Sequence, residues 1–132
     1  MTLVDVLHDA KPKIFRRMAW EALSAGDAVY TVGAEAVMVT GNNTSPFEGI
    51  AIDTVNASNW VAIAVPPTEV YANGSGTIAA GTYVTPTNYG YVEPWGGFGA
   101  GNEVVCGKCI TANTANTSIV LIRLMEAFNV ST

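Results

Sequence analysis

The motif with the most familiar chemistry in this sequence is Cys106-Gly107-Lys108-Cys109. Two cysteines at this spacing form a redox centre when the first thiol lies at a helix N-terminus, or half of a zinc site when a second ligand pair is present. Here both cysteines lie in a run rich in β-branched residues, and the single histidine, His8, stands near the start of the chain. The sequence therefore predicts free thiols that are buried or partly buried, with no metal and no cofactor.

No other group of residues has the spacing of a catalytic site. The single histidine and the lack of a Gly-x-Ser-x-Gly motif leave no nucleophilic triad, and no motif contains paired carboxylates. Glu48 and Asp53 fall near one predicted strand, where they fit the role of edge charges. Gly96-Gly97-Phe98-Gly99 lacks the Lys-Ser/Thr pair and the following helix of a phosphate-binding loop. We therefore expect no catalytic residue and interpret the chain as a non-enzyme.

Four aromatic residues cluster on one predicted loop that is rich in glycine: Tyr89, Tyr91, Trp95 and Phe98. Exposed aromatic rings beside glycines can stack on a sugar, contact another subunit or cap the open end of a barrel. We favour capping combined with subunit contact, and a sugar-stacking platform is the alternative.

Charge is distributed unevenly along the chain. Residues 1–20 have a net charge of +2, whereas the remaining 112 residues have a net charge of −7. The basic side chains of this first segment are Lys11, Lys13, Arg16 and Arg17. Phosphate contacts require clustered Lys and Arg, so the acidic body argues against direct nucleic-acid binding. The basic segment favours docking onto an acidic protein surface.

The basic segment is predicted to contain an arm and a helix. Residues 1–11 have no clear period and are interpreted as an extended arm. Apolar residues then recur at three- and four-residue steps from Ile14 to Leu23, which predicts one short amphipathic helix over residues 12–24, with Arg17 and Glu21 on its polar face. This helix either packs on its own domain or leaves it, together with the arm, to grip a partner.

From residue 27 onward the hydrophobic period changes to two, which is typical of β-strands. The predicted strands lie around residues 28–31, 35–40, 49–53, 60–65, 69–72, 76–78, 83–85, 90–93, 103–111 and 118–124. Short strands separated by turn signals predict an all-β fold, a small barrel or sandwich. The chain is 49% hydrophobic and 13% charged, which suits a packed β-domain rather than a disordered one. It has neither a continuous apolar stretch long enough to span a membrane nor a secretory signal at its start.

Two stretches of the sequence repeat each other. Gly26 and Gly81 occupy the same place in each stretch and are 55 residues apart, and Gly49 and Gly107 are 58 apart. Each stretch runs turn, strand, long loop, Gly-centred strand, turn and closing strand, so we expect a scaffold built from two similar halves. The predicted organisation is an arm and helix (1–24), a β-domain (25–124) with pseudo-repeats 25–65 and 80–124, and a C-terminal tail (125–132).

The order of these motifs resembles tailed-phage capsid decoration proteins. The resemblance rests on Ala-Gly-Asp-x-Val, Gly-Ile-Ala, Ile-Ala-Ala-Gly-Thr-Tyr-Val, Val-x-Gly-x-Cys and Ile-Val-Leu-Ile-Arg-Leu, over residues 24–124. It implies a small barrel or β-tulip domain, a homotrimer on the outside of an icosahedral head, and an N-terminal arm that pairs with capsid strands. The helix-like basic segment has no counterpart in the family pattern.

The expected function is that of a structural virion protein, made in the host cytoplasm, that binds the outer capsid surface as a trimer and stabilises the shell. Its expected partners are the major capsid protein and further copies of itself, with no nucleic acid and no membrane. The expected docking residues are Leu3, Val4, Val6, Leu7, Lys11, Lys13, Phe15, Arg16 and Arg17. The alternatives are a carbohydrate- or surface-binding β-module of a fibre or adhesin, which would use the aromatic loop, and an enzyme accessory domain.

Overall fold

The computed structural model of the protein describes residues 13–33, 36–41, 47–96, 104–112 and 118–129. In these ranges the chain forms one 3₁₀ turn, Asn88–Gly90, and β-strands throughout the rest of its regular structure. The strands are β1 (Lys13–Ala19), β2 (Ala28–Gly33), β3 (Ala36–Val39), β4 (Gly49–Ala51), β5 (Trp60–Val65), β6 (Glu69–Asn73), β7 (Tyr83–Pro86), β8 (Val92–Pro94), β9 (Val104–Thr111) and β10 (Ile119–Asn129). The all-β prediction is confirmed. None of the described residues belongs to a helix that is long and apolar enough to cross a membrane.

The strands form two units of five. Strands β1 to β5, the first unit, make a closed barrel in the order β1-β3-β2-β4-β5, in which β1 and β3 pair in parallel. Strands β6 to β10, the second unit, make a sheet in the order β6-β10-β9-β7-β8. The two units have the same connectivity, because β6 to β10 pair with one another as β1 to β5 do. The parallel contact that closes the barrel recurs in the second unit as a single bridge between Gly74 and Val92.

The residue register is also the same in the two units. A row of directly paired residues crosses four strands of each unit: Ala28, Ile50, Ala64 and Ile14 in the first, and Tyr83, Lys108, Arg123 and Glu69 in the second. Equivalent positions are 55 residues apart as far as Trp95 and 58 or 59 apart beyond it. We call these two sets the first-unit row and the second-unit row.

Equivalent glycines hold equivalent turns in the two units. Gly26 and Gly81 both adopt a positive φ, at 95° and 86°, which a side chain would strain. The amide of Gly26 donates to the carbonyl of Ala51 at 2.7 Å, and the amide of Gly81 donates to the carbonyl of Cys109 at 2.9 Å. The backbone of the turn is therefore the same at both places.

A second pair of glycines lets two strands approach closely. A Cβ atom at Gly49 would overlap the carbonyl oxygen of Ala64, and one at Gly107 would lie 2.8 Å from the carbonyl oxygen of Arg123. Real side chains do not tolerate such contacts, so these two positions require glycine.

Two buried apolar clusters form the core. The first fills the barrel and includes Leu23, Val29, Val37, Ile63 and Val65. The second contains the equivalent residues of the second unit, and it also takes in part of the first unit. These additional members are Ala28, Ile50 and Ala64 of the first-unit row, each fully buried. The outer surface of the barrel thus covers the interior of the second unit, and we call this contact the junction.

The helix predicted over residues 12–24 is wrong. Residues 13–19 form β1, whose whole length pairs antiparallel with β5, from Lys13 opposite Val65 to Met18 opposite Trp60. Apolar residues occur on both faces of β1, because one face lines the barrel and the other is exposed, and this mixture imitates a helical period. The ladder with β5 overrides the local pattern. Arg17 accordingly pairs with Glu48 rather than with Glu21.

Two further boundaries differ from the sequence expectation. Strand β10 continues to Asn129, into the segment assigned to the tail. Residues 76–78, predicted to form a hairpin with β6 around Asn73-Gly74, are not a strand, and β6 pairs with β10 instead.

Replacement of Gly49 by Ala should lower the free energy of unfolding by about 3 kcal/mol, because the added methyl group overlaps the backbone of β5. Urea unfolding measures the loss. The matched control is Gly33→Ala, where a Cβ atom would meet nothing within 4 Å, and the expected change is below about 0.5 kcal/mol. An equal loss from both variants would contradict the close approach at Gly49.

Candidate functional site

An exposed apolar patch lies on the outer face of β1 and β5. Successive residues of a strand point to opposite faces, so Ile14, Arg16 and Met18 share the face opposite the barrel interior. The exposed fractions are 41% for Ile14, 37% for Met18, 66% for Trp20 and 52% for Trp60. We call these four side chains together with Arg16 the outer patch. Large apolar side chains grouped in this way are typical of interaction surfaces.

Arg16 lies within the outer patch with its charge available. It stands opposite Ala62 of β5 and forms no ion pair with any described carboxylate. Arg17, its neighbour, is already engaged, because its Nη2 atom lies 2.9 Å from Oε1 of Glu48. An unpaired guanidinium among apolar side chains suits a partner that presents a carboxylate within an apolar surface.

The predicted docking residues are therefore divided between two faces of β1. Arg16 belongs to the outer patch, whereas Lys13, Phe15 and Arg17 lie on the other face. The remaining predicted members lie outside the described residues, and these are Leu3, Val4, Val6, Leu7 and Lys11. The sequence gave no signal for Trp20 and Trp60, because their exposure depends on which strand β1 pairs with.

The other face of β1 opens into a polar recess at the end of the barrel. The recess has a volume of about 220 Å³ and is lined by Lys13, Phe15, Phe47, Glu48 and Glu126, together with Val65 and Pro66. The Nζ atom of Lys13 lies 5.6 Å from the centroid of the Phe15 ring. We call the five residues named first the mouth. It combines exposed aromatic surface with charges of both signs.

The second-unit row is an exposed strip of charged and aromatic residues. The Nζ atom of Lys108 lies 5.5 Å from the centroid of the Tyr83 ring. The Nε atom of Arg123 donates to Oε2 of Glu69 at 3.0 Å. The Tyr83 ring also meets Trp95 edge to face, at 6.2 Å between centroids.

The predicted aromatic loop is divided by β8. Tyr89 and Tyr91 precede this strand and are 75% and 39% exposed, whereas Trp95 follows it and packs on Tyr83. Phe98 lies outside the described residues. The 3₁₀ turn that carries Tyr89 rests on the first unit, since the amide of Gly90 donates to the carbonyl of Thr40 at 3.3 Å.

A buried polar contact fixes the junction between the units. The Nδ2 atom of Asn73 donates to the carbonyl of Ala25 and to Oδ1 of Asp27, both at 3.2 Å. The amide of Ser24 donates to the other carboxylate oxygen of Asp27 at 2.8 Å. Burial raises the pKa of Asp27, and the hydrogen bonds from Ser24 and Asn73 act in the opposite direction. Asn73 thus ties β6 to the first turn of the barrel.

Apolar surface also lines a groove beside this contact. Ile52, Tyr71 and Ile119 are among the residues that line it, and its volume is about 270 Å³. Tyr71 and Ile119 are 64% and 51% exposed. The groove is shallow and holds few polar groups that could orient a small molecule.

Both cysteines are buried free thiols. Burial raises the pKa of Cys106 and of Cys109, and Sγ of Cys106 lies 3.6 Å from the carbonyl oxygen of Val84. Within the described ranges no three His, Cys, Asp or Glu side chains are grouped so as to hold a metal ion. The thiolate form, which is the nucleophile, is therefore scarce at neutral pH.

No protein-family model and no curated protein matches the chain. Among solved structures, the protein is similar to the N base of the head fiber gp8.5 in bacteriophage phi29, with a TM-score of 0.65 and 16% sequence identity. The similarity covers 88% of this chain and 96% of that chain. The two proteins share a fold.

In the native protein, Cys106 and Cys109 should react with a thiol reagent at neutral pH at least about a hundredfold more slowly than in the unfolded chain, because burial and a raised pKa suppress the thiolate. The absorbance of the released thiol product measures the rate, and the guanidinium-unfolded protein is the control. Rapid reaction of both thiols in the folded state would contradict the buried placement.

Proposed function

We propose that this protein is a structural component of a phage virion that binds the outer surface of the icosahedral capsid as a trimer and stabilises the shell. The observation that carries the proposal is the fold shared with the phi29 head fiber base over nearly the whole length of both chains. The motif resemblance to capsid decoration proteins points to the same class of protein.

The outer patch is the surface that we assign to the capsid. It presents Met18, Trp20 and Trp60 around Arg16, and tryptophan and arginine are the residue types that most often dominate binding energy at interfaces. A capsid surface with a carboxylate set among apolar groups would match it. The patch lies on a strand held by a six-residue ladder with β5, so little conformational entropy is lost when it docks.

The proposed arm extends this contact. Residues 1–12 precede β1 directly, and β1 carries the outer patch, so the arm residues and the patch would dock together. An extended segment with alternating apolar residues can add a strand to a sheet edge of the capsid protein.

Stabilisation then follows from binding to the assembled shell. A protein that binds only the assembled state shifts the equilibrium by RT ln(1 + [L]/Kd), which is about 2.7 kcal/mol at a hundredfold excess over Kd. A trimer presents three patches at once, so weak single contacts combine through their effective concentration.

Replacement of Trp60 by Ser, or of Arg16 by Ser, should weaken binding to capsids of its own phage at least about tenfold, because each removes a central contact of the outer patch. Co-sedimentation with capsids measures the binding. The matched control is Ile119→Ser, since Ile119 is the equivalent of Trp60 in the second unit and is exposed to the same degree, 51% against 52%. This control should bind as the wild type does.

Unchanged capsid binding by both outer-patch variants would refute the assignment of this surface. If the wild type fails to bind capsids and instead binds a glycan, and if Trp95→Ser abolishes that binding, the carbohydrate-binding alternative replaces the proposal.

A further inference from the structure

The junction inside the chain is a contact between one face and one opening. Ala28, Ile50 and Ala64 of the first-unit row are fully buried in the same apolar cluster as Ala72 and Cys106 of the second unit. Val70 packs against that cluster. The row of one unit thus covers the opening of the other, and both sides of this contact are apolar.

Because the units share one register, each half of this contact has an equivalent elsewhere in the chain. The equivalents of the buried row residues Ala28, Ile50 and Ala64 are Tyr83, Lys108 and Arg123. The equivalents of the covered opening residues Val70, Ala72 and Cys106 are Phe15, Arg17 and Glu48. Within one chain nothing described covers these two sets, which are the second-unit row and the mouth.

The two uncovered surfaces have matching chemistry. The second-unit row presents the Tyr83 ring, 39% exposed, beside Lys108, whose ammonium forms no ion pair with a described residue. The mouth presents the Phe15 ring, 40% exposed, beside Glu126, whose carboxylate likewise forms no ion pair among the described side chains. Aromatic surface would meet aromatic surface, and a cation would meet a carboxylate.

We propose that copies of this protein associate head to tail, with the second-unit row of one copy seated in the mouth of the next. The contact repeats between chains the arrangement that joins the two units within a chain. It is heterologous, so it closes into a ring when the rotation between copies divides a full turn. The inference rests on the trimer of the proposed function and names the surfaces that form it. A closed trimer would then contain six equivalent units and leave all three outer patches free.

The test uses one variant for each surface. Lys108→Glu reverses the charge of the row, and Phe15→Ser removes the aromatic ring of the mouth. Sedimentation velocity on the purified full chain, without capsids, should show an oligomer for the wild type. Each variant should sediment as a monomer, with association weakened at least about tenfold. Circular dichroism verifies that each variant is folded. Glu126→Lys replaces Phe15→Ser if the latter does not fold, since Glu126 is exposed.

A mixture of the two variants separates this geometry from a two-fold one. The Lys108→Glu copy retains an intact mouth, and the Phe15→Ser copy retains an intact row, so the mixture should form a 1:1 dimer and grow no further. A two-fold contact of row with row would leave the mixture no more associated than the Lys108→Glu variant alone.

Three results would overturn the proposal: a monomeric wild type, variants with the wild-type mass, or a mixture that stays monomeric. The outcome is independent of capsid binding. A monomer that binds capsids would refute this inference and leave virion binding in place. A head-to-tail oligomer that ignores capsids would refute the proposed function and leave this inference in place.

Discussion

The burial of one face of the barrel beneath the second unit is the contact on which the rest of the structure depends. Each unit consists of five short strands, and β4 and β8 have only three residues each. Units of this size bury too little apolar surface to be stable alone. Ile50 and its neighbours in the first-unit row complete the interior of the second unit, so the two form one core. Asn73 and Asp27 then fix their relative position through hydrogen bonds that a displaced arrangement would lose.

The duplicated register makes divergence between equivalent residues informative. Where both equivalents are apolar, as in Val29 and Val84, the position belongs to the interior of its unit. Where one is apolar and buried and the other is charged, as in Ile50 and Lys108, the same backbone position faces a different neighbour in each unit. The charged member of such a pair marks a surface that the chain does not cover by itself. Both surfaces assigned to self-association were found in this way.

The sequence predicted the all-β fold because Val, Ile and Thr alternate along β5 and its neighbours, and because the equivalent glycines require the same turns. It failed at β1, where apolar residues face both the barrel and the exterior, so neither period is clean. The available cation at Arg16 and the engaged one at Arg17 are indistinguishable in sequence, since the difference comes from Glu48, which lies 31 residues away. The outer patch and the mouth likewise arise only when β1 pairs with β5. Their residues carry no local motif.

The central claim is that two equivalent positions, Ile50 and Lys108, differ because one lies in the junction and the other does not. A reciprocal exchange measured by urea unfolding tests it most directly. Ile50→Lys should lower the free energy of unfolding by about 3 kcal/mol or more, because it buries an unpaired ammonium between the units. Lys108→Ile should change it by less than about 0.5 kcal/mol, since that side chain is exposed in the single chain. Equal losses from the two exchanges, or no loss from Ile50→Lys, would contradict the account.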